Sequence, residues 1–168
     1  MKIKDMLIDQ VTSIRDMTLA TFNDLAPDER LFQPAPGLNH AVWLLGHIAT
    51  SQDHLILDFC TGKPLLPARY NELFAMGSRL LEDSSGYPRT DEMLERLAAG
   101  YEATLAYLRG ADEAEFDREP TCFGRFDDRA RGMFATRGRC VWFHAHHEAM
   151  HAGQMGYLRR LTGKPFRV

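Results

Sequence analysis

The sequence predicts an all-α protein, a four-helix bundle with long crossover connections. Four segments place apolar residues at spacings of three and four, which is the period of one buried face of an α-helix. Nowhere does the sequence alternate apolar and polar residues as a half-buried strand would. The chain has 168 residues, of which 45% are hydrophobic, enough to bury a core. We therefore expect a single domain that spans residues 1–168.

The first two helices are predicted over residues 6–25 and 40–60. The buried face of the first helix is expected to consist of Leu7, Val11, Ile14, Thr18, Phe22 and Leu25. Pro27 ends this helix, because proline cannot continue the backbone hydrogen-bond ladder. Asn39 is the expected N-cap of the second helix, and His40 at its start is expected to be exposed.

The other two helices lie in the second half of the chain. The third is predicted to begin at Thr90, a residue that can cap it, and to end at Gly110. The last helix is expected to follow a cap at Thr136 and to end at Leu161. The third helix has an apolar stripe at helical spacing, formed by Leu94, Leu97, Tyr101, Leu105 and Leu108.

Two long segments connect the predicted helices. Residues 62–88 are rich in turn-forming proline, so they are expected to form a connection with at most one short helix over residues 70–81. Residues 111–139 are polar, first acidic and then basic, and are expected to be irregular. Long crossovers of this kind are compatible with a helical bundle.

Charge and cysteine content exclude several classes of protein. A formal net charge of −3, from 20 basic and 23 acidic residues, provides no basic surface for the phosphates of nucleic acid. The three cysteines are never in C-x-x-C spacing, so neither a disulfide framework nor a cysteine zinc site is indicated. No stretch approaches the ~20 apolar residues of a membrane span. We expect a soluble cytoplasmic protein that binds neither nucleic acid nor membrane.

The last predicted helix carries a cluster of histidines in the stretch HHEAMHAGQ, residues 146–154. His147 and His151 are four residues apart, so they lie one turn apart on one helix face and can chelate a single ion. His47, in the apolar stretch WLLGHIA, is the best candidate for a third ligand. The other interpretation of His47 is a core histidine that is hydrogen-bonded to backbone or water. His144 shares the face of His147 and is the alternative third ligand.

Residues next to these histidines have candidate supporting roles. Gln154, three residues after His151, is expected to support a ligand through its amide or to form an ordinary interhelical hydrogen bond. Glu148 points about 100° away from the ligand face, which makes it a poor general base. Gly153 and Gly156 occupy the interior of a helix, where glycine normally costs stability, so they indicate a close helix approach or a subunit contact.

The more distant polar residues have weaker signals. Asp53 follows His47 by six residues and lies more than a helical turn away, so it is only a candidate for an outer contact of the site. Arg125, Arg129 and Arg131 belong to the irregular segment, and the main expectation is that they are solvated, as charge runs usually are. The alternative is that they bind carboxylates of a ligand.

The stretches NHAVWLLGHIATSQDHL and HHEAMHAGQMGYLRRLTGKP resemble the DinB/YfiT-like family of the DinB superfamily. The most specific parts are G-H-I in the second helix and H-x-x-x-H-x-G-Q in the last. The resemblance implies a four-helix bundle with atypical connections, often a homodimer, that holds a divalent metal ion such as zinc or nickel on three histidines. Matched by motif, these ligands are His47, His147 and His151. The sequence departs from the commonest family pattern at Met150, where an aromatic residue is frequent.

Two classes of function are compatible with such a site. Three histidines leave a fourth coordination position open, as in catalytic zinc sites, so an enzyme could activate a bound water or thiol there. The resemblance implies thiol-dependent S-transferases and isomerases among the relatives, hence a low-molecular-weight thiol as cosubstrate. A metal-dependent hydrolase and a dimeric metal-binding protein without catalysis are the alternatives. The open position favours an enzyme, whereas the lack of an evident acid or base in the sequence favours a structural ion.

Overall fold

The computed structural model describes residues 2–81 and 83–165, and no strand occurs among them, so the predicted all-α class is confirmed. The helices are α1 (Ile3–Asn23), α2 (Ala41–Gln52), α3 (Ala68–Phe74), α4 (Thr90–Gly110), α5 (Asp128–Met133) and α6 (Arg137–Leu161). A π-helix, Asp53–Thr61, continues α2. Short 3-10 turns lie at Glu29–Leu31, Ser84–Gly86, Glu113–Asp117 and Phe123–Arg125. Within the described ranges, no helix is both long and apolar enough to cross a membrane.

The four long helices pack in a ring in which α1 and α2 each contact both α4 and α6. Helices α1 and α2, although consecutive among the long helices, therefore lie diagonally across the ring. The same holds for α4 and α6, so the connections before α2 and before α6 both cross the bundle. Of the two long connections predicted from the sequence, the one before α6 crosses the bundle, whereas residues 62–88 join the neighbouring helices α2 and α4. The crossing before α2 was not predicted.

Two apolar clusters form the core. One combines the end of α1 with α2, α3, the start of α4 and the end of α6, and it includes Phe22, Leu44, Phe74, Leu97 and Met155. The other combines the start of α1 with the π-helix, the end of α4 and the start of α6, and it includes Val11, Ile56, Leu105 and Val141. The three cysteines are buried and free. The space between the two clusters is occupied by polar side chains.

The buried face of α1 differs from the predicted one at a single position. Its buried residues are Leu7, Val11, Arg15, Thr18 and Phe22, whereas Ile14 is only half-buried. Positions 14 and 15 both fit a spacing of three or four, so periodicity alone favoured the apolar residue. Arg15 is buried because Glu148 of α6 receives its guanidinium as an ion pair.

The start of α2 also differs from the prediction. The N-cap is His40 and not Asn39, because Nδ1 of the His40 ring accepts the backbone N–H of Trp43 at 3.1 Å. The expectation that His40 is exposed is wrong, since the ring is buried and its Nε2 faces the Tyr87 hydroxyl at 3.4 Å. Burial lowers the pKa of His40, which keeps the ring neutral and its Nδ1 able to accept.

The sequence predicts a second α-helix that continues to residue 60. In the structure, the α-helix ends at Gln52 and a π-helix follows from Asp53. Gly62 closes it with a φ of 69°, a left-handed conformation in which a Cβ would be strained. Thr121, from the connection before α5, donates its N–H to the Phe59 carbonyl at 2.7 Å and its hydroxyl to the Asp58 carbonyl at 2.9 Å. The wide turn thus depends on a distant loop, which local sequence does not reveal.

The remaining elements follow the predictions in part. A short helix is predicted over residues 70–81, but α3 spans Ala68–Phe74 and so ends well before the predicted end. Helix α5 lies in the segment that was predicted to be irregular. Thr136 caps α6 as predicted, because its hydroxyl accepts the N–H of Arg139 at 3.3 Å. The predicted cap at Thr90 is wrong, because Thr90 is already the first residue of α4 and the N-cap is Arg89, whose side chain makes no capping hydrogen bond.

Candidate metal centre

Three predicted ligands, His47 of α2 and His147 and His151 of α6, converge between the two helices. Nε2 of His147 lies 3.2 Å from Nε2 of His47 and 3.1 Å from Nε2 of His151. One nitrogen from each ring can be chosen so that all three lie within 4.8 Å of one another. Nitrogens bound at ~2.0–2.1 Å to a tetrahedral zinc ion lie about 3.3 Å apart. Two of the three spacings match this value and the third stays within 4.8 Å, so the three rings could hold one metal ion.

Hydrogen bonds on the far side of two rings fix which nitrogen faces the centre. Nδ1 of His47 lies 2.6 Å from the Phe74 carbonyl oxygen, which can only accept, so Nδ1 carries the proton. Nδ1 of His151 likewise faces Oε1 of Gln154 at 2.8 Å. In both rings Nε2 is left with a free lone pair, as metal-binding histidines require. The supporting role predicted for Gln154 agrees with this contact.

Hydrogen bonds among the three rings cannot satisfy all of the nitrogen lone pairs at the centre. Nε2 of His147 faces two nitrogens that carry no proton, and a proton on His147 can be donated fully to only one of them. A divalent cation accepts all three lone pairs at once. Among the residues that the structure describes, the buried Nδ1 of His147 has no hydrogen-bond partner, so the orientation of this ring is not fixed in the way of the other two. The residues present thus fit a metal ion.

Burial keeps the three rings neutral. Desolvation lowers the pKa of His47 and of His151 below the ordinary value of 6.5. For His147, desolvation and then the neighbouring histidines lower the pKa to about 3. Neutral imidazole is the form that binds metal, so no proton has to be displaced at neutral pH.

Aromatic rings enclose the centre on two sides. The Trp43 ring stacks on His47, with centroids 4.6 Å apart and planes inclined by 14°. Its indole N–H donates to the Ser78 hydroxyl at 2.9 Å, which holds the ring in place. The Phe143 ring lies nearly parallel to that of His147, with centroids 6.2 Å apart. His47 and His151 retain only 8% and 6% of their accessible surface, so water reaches the centre mainly beside His147.

Comparison with known proteins assigns the chain to a family. A sequence model of the DinB superfamily matches residues 10–155, and this range includes all three histidines. The chain belongs to the DinB superfamily. Among solved structures it is similar to a conserved protein from Enterococcus faecalis, with 23% identity and a TM-score of 0.69 over 98% of this chain and 99% of that chain. This likeness supports the fold alone. No curated protein matches the chain significantly.

Next to the centre, the DinB bundle contains a buried polar layer, formed by Arg15, Gln52, Thr104, His144 and Glu148. Arg15 donates from Nε and from one terminal nitrogen to the two oxygens of Glu148, at 2.7 and 2.9 Å. The same terminal nitrogen donates to Oε1 of Gln52 at 3.0 Å, and Gln52 donates to the Thr104 hydroxyl at 3.0 Å. The polar layer therefore joins α1, α2, α4 and α6 through side-chain hydrogen bonds.

His144 belongs to this polar layer and not to the metal centre. Its Nε2 lies 3.2 Å from Oε2 of Glu148, and the side chain is 1% exposed. The alternative in which His144 replaces His47 as third ligand is therefore wrong. Glu148 points away from the ligand face, as predicted, because it is turned toward Arg15 of α1. The guanidinium and the His144 ring hold the pKa of the Glu148 carboxyl well below its usual range despite burial.

A chain of aromatic residues leads from the centre to the loop arginines. Phe143 contacts Phe134 with centroids 5.1 Å apart, and Phe134 contacts Phe126 at 6.1 Å. Arg131 donates from Nε to the Phe126 carbonyl at 3.0 Å. Arg125 pairs with Asp58 at 3.7 Å, and its side chain is 72% exposed. These contacts agree with the main expectation that the loop arginines are solvated.

The other residues with predicted roles lie outside the centre. The Asp53 carboxylate accepts the N–H of Leu65 at 2.6 Å and so holds the connection after the π-helix. A Cβ added to Gly153 or Gly156 would meet nothing within 4 Å, so neither glycine permits a close helix approach inside the protomer. The close helix approach is therefore not found within the protomer, and the subunit contact stays a prediction.

Proposed function

We propose that this DinB superfamily protein is a metal-dependent enzyme in which His47, His147 and His151 hold a divalent ion, zinc or nickel. The observation that carries the proposal is the convergence of three neutral imidazoles with their lone pairs directed at one point. No carboxylate or thiolate is among them, so the ligands would leave the ion its full double charge. A fourth position would stay open for water or substrate.

The chemistry proposed for the open position is activation of a small thiol. A divalent ion held by three neutral histidines strongly lowers the pKa of a thiol or water in that position. The chain supports this with the Phe74 carbonyl and Gln154, which orient two ligands, and with Trp43 and Phe143, which exclude water from the rings. A thiol-dependent S-transferase or isomerase uses these properties, and a metal-dependent hydrolase would use them with water.

The loop arginines would select a thiol that bears carboxylates. Arg125, Arg129 and Arg131 are exposed. They belong to the segment whose Phe126 and Phe134 lead, by ring contacts, to Phe143 beside His147. Guanidinium groups bind carboxylates with paired hydrogen bonds. An anionic thiol could therefore place its sulfur at the ion and its carboxylates toward this loop.

Calorimetry tests the proposal with mercaptosuccinate as the probe and malate, its hydroxyl counterpart, as the matched control. At a pH of about 6, where a zinc-bound water keeps both protons, mercaptosuccinate should displace that water and release about one proton from its thiol, read from buffers of different ionisation enthalpy. Malate should bind without that proton. The His151→Ala variant should bind neither with proton release. Equal proton release by the variant and the wild type would contradict the proposal.

If the ion had a structural role without catalysis, its removal should have a different effect on the chain. A structural ion contributes to folding, and its removal unfolds a domain that depends on it. The two apolar clusters and the polar layer hold the bundle without using any ligand histidine, so we expect the metal-free protein to remain folded. Loss of helical circular dichroism on chelation would favour the structural role.

We further propose that the protein is a homodimer that uses a groove between α1 and α6. This groove has a volume of about 700 Å³, and small residues of both helices line it, namely Ala20, Ala149, Ala152, Gly153 and Gly156. Met17 and Tyr157 border it and are 47% and 60% exposed. A helix of a second copy could approach closely there, since no Cβ is in the way at either glycine. Light scattering should give twice the 19.1 kDa chain mass, and Ala20→Arg should give a monomer.

A further inference from the structure

The polar layer contacts both helices that carry the candidate ligands. Glu148 directly follows His147 and precedes His151 by three residues, and Gln52 follows His47 by five. Arg15 binds Glu148 on α6 and Gln52 on α2 through adjacent nitrogens. Its remaining terminal nitrogen donates to the Leu97 carbonyl of α4 at 3.3 Å. One guanidinium, on a helix that holds no ligand, therefore connects the two halves of the metal centre.

The position of the polar layer along the helices matters as much as its contacts. On α1, Arg15 lies between Val11 of one apolar cluster and Phe22 of the other. On α6, Glu148 lies between Ala145 and Met155, which again belong to different clusters. The polar layer thus separates the two apolar clusters, and each of the four long helices contributes to it.

Apolar packing alone would not fix the register of α6 against α2 to the accuracy that a metal needs. Hydrophobic contacts are non-directional, so two apolar clusters tolerate small sliding movements. A shift of one residue moves a ligand by ~1.5 Å along the helix, whereas metal–ligand distances tolerate only about ±0.2 Å. A guanidinium that is bonded to both oxygens of a carboxylate has a fixed geometry.

Stability does not explain the ion pair. Arg15 and Glu148 are 3% and 2% exposed, and such a buried pair is often no more stable than apolar residues of similar volume. The best-attested use of buried polar groups is to fix one register among several. The hydrogen bonds of Arg15 would fix the register of α6 against α2 next to the three histidines, whose positions depend on that register.

We propose that Arg15 is a positioning residue of the metal centre, which sets the register of α6 against α2 through Glu148 and Gln52 and so arranges the three histidines before metal binds. The proposal rests on the proposed function, since it takes the histidines as metal ligands. The Arg15 guanidinium donates to Glu148, Gln52 and the Leu97 carbonyl, and not to the three histidines.

The main test replaces the ion pair by apolar residues in the full chain, as Arg15→Met with Glu148→Leu. Because both charges are removed together, the bundle should fold with wild-type helical content and a cooperative melt. Its zinc affinity, measured by competition with a chromophoric chelator, should fall 10–100-fold. The visible absorption of the Co²⁺-loaded protein should also change, because its bands report the geometry of the ligands.

The matched control is a second ion pair between the same two helices, Arg159 of α6 with Asp24 at the end of α1. Arg159 is also buried, but it lies eight residues after His151, about 12 Å along the helix. Its side chain donates to Asp24 and to the Pro165 carbonyl, and neither partner belongs to α2. Arg159→Met with Asp24→Leu should keep zinc affinity within about threefold of wild type and leave the Co²⁺ spectrum unchanged. A loss equal to that of the first variant would assign the effect to general loosening of α1 and α6 and overturn the proposal.

A single substitution covers the case in which the double variant does not fold. Gln52→Met removes the link to α2 and leaves the Arg15–Glu148 pair intact, so zinc affinity should fall about tenfold while folding is retained. Wild-type zinc affinity in either folded variant would overturn the positioning role. If the wild-type chain itself binds no zinc, the metal centre fails and not only the role of Arg15, so the two failures are distinct.

Discussion

Substitution of Gly46 by alanine offers a sharp test of the packing around His47. A Cβ at Gly46 would lie 2.4, 2.4 and 2.5 Å from three ring atoms of Phe74, well inside ordinary contact. Phe74 is fully buried and is held between Tyr70 and Tyr87, each with its ring centroid 5.5 Å away. The ring cannot rotate away freely, so it has to retreat by about 1 Å, which is overpacking of a close-packed core.

Two opposing effects of Gly46→Ala determine the change in the free energy of unfolding. Overpacking a core costs roughly 1–3 kcal/mol, whereas alanine is favoured over glycine in a helix by about 1 kcal/mol. Because the added Cβ meets three ring atoms at once, the overpacking cost should lie in the upper part of that range, at about 2–3 kcal/mol. The net loss should then be about 1–2 kcal/mol, which for a chain of this size lowers Tm by roughly 2–8 °C. Because the Phe74 carbonyl accepts the Nδ1–H of His47 at 2.6 Å, displacement of Phe74 should also weaken zinc binding about tenfold.

Thermal melts with and without zinc measure both effects in one experiment. Gly132→Ala is the control, since a Cβ there meets nothing within 4 Å and should leave Tm unchanged or slightly raised. Gly46→Ala should melt below the wild type without zinc and gain less from zinc. A melting temperature at or above that of the wild type would refute the tight packing of Phe74 on Gly46.

Three further predictions follow from the site and from α6. Burial lowers the pKa of His147 from 6.5 to about 3, so between these values only the unfolded chain binds the extra proton; metal-free stability should therefore fall as the pH drops below 6.5, by up to ~1.4 kcal/mol per pH unit. Urea titrations at pH 4.5 and 6.5 check this, and equal midpoints would count against a buried neutral ring. Gln154→Leu removes the acceptor of the His151 Nδ1–H and should lower zinc affinity about 10-fold or more with little change in Tm, since Gln154 is exposed; unchanged zinc affinity would show that this contact does not orient the ligand. Thr136→Ala removes the capping acceptor of the Arg139 N–H and should cost about 1 kcal/mol in urea unfolding, while Thr136→Ser should cost much less.

The relation between sequence and site differs between the two ligand-bearing helices. On α6, the interval of four residues between His147 and His151 is enough to place both on one face, because the geometry of a helix is local. The cap at Thr136 is local in the same sense and is confirmed. His47 is different, since its apolar surroundings are equally compatible with a histidine that is hydrogen-bonded in the core. Its place beside the apolar stripe of the second helix made it the best candidate, and the family motif then favoured a metal ligand over a core hydrogen bond.

Other residues of the site depend on partners that are distant in sequence. Ile14 completes the apolar stripe of the first helix, so no signal in the sequence indicated that the neighbouring Arg15 is buried. Gln52 gave no such signal. The Phe74 carbonyl is a backbone group, so no residue type could have indicated that it orients His47.

The sequence by itself determined the all-α class, the placement of the long helices and the pairing of His147 with His151, because each depends on repeats within one helix. Only the tertiary structure decided that Arg15 and not Ile14 is buried, that His144 pairs with Glu148, and that the end of the second helix is a π-helix. The physical reason is the same in each case. A buried charge, a polar ring or an unpaired carbonyl is stable only where another segment supplies its partner, and that partner is fixed by the fold.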